Sequence, residues 1–168
     1  MQAKARVYNP WREPRNPELA GYTGKTFERE VLGECKVRVI HGKLKFNRLV
    51  SQIRWNQPEN PYYPTRERSN FHRAVASELE GRGVHGSALG LFTAVGTPLD
   101  RYHGIDGFFS FEGIMVSVDC TLDPNMDPSP RARVVVHGED MLDGYKEPAY
   151  QIANLICEAR RKGRKGMV

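Results

Sequence analysis

The sequence predicts an α/β domain of the α+β kind: a mixed central sheet built around a strand meander, with helices flanking it. Three observations carry this. Residues 105–111 run as a strand to a Glu112-Gly113 turn, and 114–122 follow with the apolar–polar alternation of a paired strand. Residues 131–137 contain Val134-Val135-Val136, a continuous apolar run of the kind found in a strand buried on both faces, and so predict a central strand. Before and after these strands, at 69–80 and 148–159, apolar residues recur at helical spacing. The resulting order from residue 69 on is helix, strand, strand, strand, helix, a layered arrangement.

Taken in order, residues 1–22 hold Pro10, Pro14 and Pro17 among Trp11, Arg12 and Arg15 and read as an extended basic arm, with Trp11 and Tyr22 as core anchors or base-stacking groups. Phe27 and Val31 share one face of a short helix over 26–34. Residues 36–40 alternate as a half-buried strand, His41-Gly42-Lys43 marks a turn, and 44–53 is either the hairpin partner or a helix, the spacing of Leu49, Val50 and Ile53 favouring helix. Pro58, Pro61 and Pro64 make 56–66 a linker between an N-terminal region (23–66) and a core (67–160). Ser69 is the expected N-cap of a helix through Glu80, with Phe71, Ala74, Val75 and Leu79 inward. Residues 87–95 are apolar without a deciding period, and Gly96-Thr97-Pro98 breaks the chain. Pro148 fits the first turn of a last helix whose inner stripe is Ala149, Ile152, Ala153 and Ile156. A frayed basic tail, 161–168, follows.

The 168 residues suit one compact domain. No apolar run approaches the ~20 residues that span a bilayer, and the N-terminus lacks the apolar stretch of a secretory signal. Cys35, Cys120 and Cys157 are odd in number and far apart, so neither a disulfide framework nor a zinc knuckle is expected, and the expected location is the cytoplasm.

Charge is segregated. Residues 1–75 carry 15 basic and 7 acidic side chains, 76–147 carry 5 and 12, and 148–168 carry 5 and 1. Basic flanks around an acidic centre suit a protein that grips a polyanion and holds a cation in its middle. The alternative is that the basic segments fold back on the acidic block or meet an acidic protein partner. On the first reading Arg12, Arg15, Lys43, Lys45, Arg160, Arg161 and Lys162 contact nucleic acid.

Two acids of the central block lie on the paired strands. Asp106 and Asp119 are placed symmetrically about the Glu112-Gly113 turn, so an antiparallel pair sets them opposite each other. Facing carboxylates repel unless neutralised. A Mg²⁺ or Mn²⁺ ion bound by one or two carboxylates, water and substrate phosphate would reconcile them. The alternative is a solvated face on which both acids bond to neighbouring polar side chains.

The segments 97–109 and 113–121, with Gly104-Ile105-Asp106 opening one strand and Asp119-Cys120-Thr121 closing the next, resemble the PD-(D/E)XK (restriction-endonuclease-like) nuclease superfamily, its small phage-borne members included. The resemblance covers residues 70–157. It implies a helix, three-strand meander, helix, strand core and metal-dependent hydrolysis of DNA. Asp106 would be the first acid, Asp119 the second, Glu78 the acid supplied by a helix, and the backbone carbonyl of Cys120 a further ligand. The family lysine is replaced by Thr121, which carries no charge to stabilise developing negative charge; Lys146 and Arg133 are the nearest cations in sequence to take its place. The resemblance therefore implies either an endonuclease or exonuclease-like phosphodiesterase using Mg²⁺ or Mn²⁺, or a non-catalytic relative that binds nucleic acid or serves as a phage structural or assembly protein, as a homo-oligomer or within a larger particle.

Overall fold

A computed structural model describes residues 16–36, 44–126 and 132–168. Among these residues six α-helices and five strands follow one another as α1 (Gly24–Leu32), α2 (Phe46–Trp55), α3 (Arg66–Glu80), β1 (Gly90–Thr93), α4 (Pro98–His103), β2 (Gly107–Phe111), β3 (Ile114–Thr121), β4 (Val134–His137), α5 (Gly138–Leu142), α6 (Lys146–Arg161) and β5 (Gly166–Met167). The fold is α+β with a mixed, open, five-stranded sheet.

β1, β2 and β3 form an antiparallel meander. Glu112 and Gly113 turn β2 into β3 with φ of 47° and 81°; two successive positive φ values give the turn whose twist matches the strands. β4 and β5 both run parallel to β3. Val118 pairs with Gly107 of β2 and with Val134 of β4, while Ile114 pairs with Phe111 of β2 and with Gly166 of β5. β4 and β5 therefore share the edge of β3 that β2 leaves open, one at each end. β3 is the central strand.

The two faces of the sheet carry different cores. Phe109 and Phe111 of β2 and Ile114, Val116, Val118 and Cys120 of β3 pack with α1, α3 and α6. Phe92 and Phe108 face the other way and pack with Leu49, Val50 and Ile53 of α2, with Met115 alongside. By alternation, Asp106 shares the second face with Phe108, and Asp119 shares it with Met115.

Several expectations from the sequence change here. β4 lies at the end of the strand order and Val135 is half-buried, so the valine run is not a central strand. α3 starts at Arg66, behind Thr65 as N-cap, and Ser69 lies inside it; its inward stripe of Phe71, Val75 and Leu79 is as expected. The break at 96–98 opens α4, with Thr97 as N-cap and Pro98 in its first turn. The C-terminal residues close β5 instead of fraying: the N–H of Gly166 donates to Gly113 O and that of Val168 to Met115 O, both at 2.8 Å. Within the expected arm, residues 16–22 dock on the core, with Leu19 buried and the Tyr22 ring set edge-on to Phe27. The stretch 56–66 is tied to the sheet: the Gln57 side-chain amide accepts from the N–H of Thr93 at 2.8 Å and donates to its carbonyl at 3.0 Å, as a neighbouring strand would. The expected strand at 36–40 falls almost wholly outside the described residues, as do Trp11, Arg12, Arg15 and Lys43.

Candidate metal centre

The site is built where β2 begins. Asp106 immediately precedes β2, and its N–H donates to Val118 O at 2.9 Å. Gly107 pairs with Val118, so Asp106 stands opposite Asp119 on the same sheet face. Beyond the Gly107–Val118 pair the N–H of Cys120 is met by a side chain: it donates to Asp106 Oδ2 at 2.8 Å. Along a strand the N–H and C=O of one residue point to the same edge, so the Cys120 carbonyl lies on that side too.

Two further acids arrive from helices. In α1, Thr23 and Thr26 cap each other's backbone N–H groups, and Phe27, Val31 and Leu32 bury its inner face. Gly107 lets this helix sit close: a Cβ there would lie 3.2 Å from Leu32 Cδ1 and 2.8 Å from Phe92 O. The half-buried Glu28 is carried in by that packing. In α4, Asp100 Oδ2 accepts from the N–H of Gly96 at 2.8 Å. Carboxylate oxygens of Glu28, Asp100 and Asp106 all lie within 4.8 Å of one another. Asp106 and Asp119 each act on the other's proton affinity.

The electrostatics follow from this crowding. Asp106 and Asp119 are buried, at 4% and 6% exposure. Burial, then the charges of Glu28 and Asp119, push the Asp106 carboxyl up to about 9. Burial, then Asp100 and Asp119, push Glu28 up to about 7, against the weaker pull of Lys25 and Arg29. Burial also raises Asp119. Among the described residues no lysine or arginine forms an ion pair with Asp100, Asp106 or Asp119. The donor set is all oxygen and strongly anionic, which fits a hard dication and not a soft metal. Without one, the site relieves its repulsion by keeping a proton.

The other residues singled out from sequence lie elsewhere. Glu78 points along α3 to Arg82, which also reaches Asn154 of α6; the helix acid at the cluster is Glu28. Its sequence signal is a position flanking the Phe27–Val31 stripe. Asp100 is signalled by its place three residues after the Thr97 N-cap. Thr121 shares the face of Asp119, and its hydroxyl accepts from the N–H of Asp123 at 3.1 Å. Lys146 pairs with Asp143 and Arg133 is exposed. The described lysine nearest in chain to a cluster acid is Lys25, one turn before Glu28. Arg160 pairs with Glu112 at 3.1 Å and Lys162 with Glu158. Arg160 therefore stands at the turn end of β2–β3, six residues or ~20 Å from Asp106. Lys45 is exposed at the N-cap of α2. No helix among the described residues is long and apolar enough to cross a membrane.

No protein-family model matches this chain, and neither a curated protein nor a solved structure matches it.

Proposed function

We propose that this chain is a metal-dependent phosphodiester hydrolase acting on DNA, with Asp106 and Asp119 holding Mg²⁺ or Mn²⁺. The observation that supports it best is their face-to-face placement, joined by Glu28 and Asp100, with no lysine or arginine of the described chain in ion-pair contact to quench the pair. In this reading Glu28 and the Cys120 carbonyl complete the oxygen shell, and Asp100 holds the adjoining Gly96 turn in place. The ion, when bound, polarises the phosphodiester and lowers the pKa of a water. Glu28 would hold the ion from α1, and Lys25 and Arg29 of the same helix are the cations whose charge reaches it.

The test is incubation of the chain with plasmid and oligonucleotide DNA in Mg²⁺ or Mn²⁺, beside Asp119→Ala and EDTA controls. Nicking that needs the metal and Asp119 supports the reading. No cleavage in either metal, or cleavage indifferent to Asp119 and EDTA, removes it.

A second reading, a relative that binds nucleic acid without cutting it, is favoured by Thr121, which stands where the resemblance places a lysine and whose hydroxyl is engaged by Asp123. Binding that persists in EDTA, with no cleavage in any metal, selects it.

A further inference from the structure

The second sheet face carries a feature the acid cluster does not use. α2 buries Leu49, Val50 and Ile53 against Phe92 and Phe108 and turns its other side to solvent. At its C-terminal end the Arg54 guanidinium lies over the Phe92 ring, 4.9 Å from the centroid. Tyr62 meets the same ring edge-on at 6.0 Å, and Phe108 stacks beneath it at 5.2 Å and 9°. Arg54 and Tyr62 thus rest on one ring, and the residues that follow each of them, Trp55 and Tyr63, project outward at 86% and 77% exposure. Tryptophan and tyrosine left this bare are unusual, because large aromatics are highly buried on average.

The surface is held in place. Pro61 O accepts from the N–H of Leu91 at 2.9 Å, covering the edge of β1, and Asn60 Oδ1 accepts from the N–H of Tyr62 at 3.0 Å. Tyr63 therefore stands on a turn fixed to the sheet. The charge on α2 has one sign, and Glu59, between the two rings in chain, is held by Arg68 at 2.9 Å and by Thr65. From Lys36 to Pro58 the sequence has six basic residues and no acid, and Lys45, Arg48 and Arg54 are exposed on or beside α2.

We propose that Trp55 and Tyr63 form a stacking platform for the bases of single-stranded nucleic acid, with Arg54, Arg48 and Lys45 holding its phosphates. Two exposed aromatics beside a helix that carries cations and no acid match a ligand that alternates π-faces with negative charge. An acidic protein surface would satisfy the cations but offer the rings nothing specific. Phe92, beneath the platform, pairs with Phe108, two residues from Asp106 on the same face. The proposal gives the substrate class for the nuclease reading and rests on it for its purpose; the binding itself needs no metal.

The chain has two tryptophans, Trp11 and Trp55, so the Trp11→Phe chain reports on Trp55 alone. Titrated in EDTA with a short oligothymidylate, its fluorescence should be quenched, with an affinity that falls steeply as salt rises. Trp55→Ala and Tyr63→Ala, read by anisotropy of a labelled oligonucleotide, should each weaken binding roughly tenfold, and Trp55→Phe should restore most of it. Both positions are exposed, and an unchanged melting temperature checks that the variants fold. Absence of quenching, or equal binding by the alanine variants, overturns the platform even if the chain cleaves DNA. Quenching and platform-dependent binding without cleavage uphold it while the nuclease reading fails. Preference for duplex over single strand also overturns it.

Discussion

Asp106 Oδ2 accepts the N–H of Cys120 at 2.8 Å, a backbone donor that lies beyond the last β2–β3 pair. The carboxyl therefore has two tasks. It satisfies a buried backbone donor, and it stands against Asp119, Glu28 and Asp100. The first is compatible with a neutral group and the second works against a charged one.

Asp106→Asn separates the two. The amide oxygen can still accept from Cys120, and the like-charge contact is gone. The metal-free variant should melt at a higher temperature than the parent, while the rise in melting temperature on adding Mg²⁺ or Mn²⁺ should vanish. Thermal denaturation with and without EDTA measures both.

The raised carboxyls set a pH dependence. With folded-state values pushed to about 9 for Asp106 and about 7 for Glu28, against ordinary values of 3.8 and 4.5, the folded chain holds more protons than the unfolded one between those limits. Stability of the metal-free protein should therefore fall as pH rises from about 4 toward 9. Urea denaturation across that range tests this. A dication bound there would replace the protons, so its stabilising effect should grow with pH; stability that rises with pH in EDTA would contradict the assignment.

Glu28→Gln and Glu78→Gln distinguish the two helix acids. Loss of Glu28 should lower metal-dependent cleavage at least tenfold and weaken metal binding. Loss of Glu78 removes only its contact with Arg82 and should leave both unchanged. Cleavage rates and calorimetric titration with Mn²⁺ read the difference.

Gly107→Ala tests how α1 is seated. The new methyl meets Phe92 O and Leu32, and overpacking of this kind costs about 1–3 kcal/mol. The helix should be displaced outward, carrying Glu28 from the cluster, so metal affinity falls together with stability.

Arg68 is a separate determinant of stability. Its guanidinium, with a side chain only 5% exposed, donates to Glu59 Oε1 and to Leu91 O, both at 2.9 Å. Arg68→Ala leaves an acid and a buried carbonyl unpaired and should cost about 3 kcal/mol in chemical denaturation. Arg68→Lys cannot reproduce the two-directional fork and should recover little of it.

The sequence by itself determined what depends on short-range periodicity. A two-residue turn at Glu112-Gly113 with a strand on each side is enough to place Asp106 opposite Asp119, because strand register is counted outward from the turn. The inner stripes of α3 and α6 follow from helical spacing in the same way. Tertiary structure decided which distant pieces meet. Glu28 and Glu78 both lie beside apolar helix positions, and only the packing of α1 over Gly107 brings one of them to the sheet end. The valine run of β4 is apolar enough for a central strand, yet it shares an edge of β3 with β5, whose two residues carry no strand pattern and pair because α6 delivers them there. That Arg54 and Tyr62, the chain neighbours of the exposed Trp55 and Tyr63, meet on the one ring of Phe92 was likewise decided by tertiary packing. Local propensity fixes the period of an element; long-range burial and hydrogen bonding choose its neighbours.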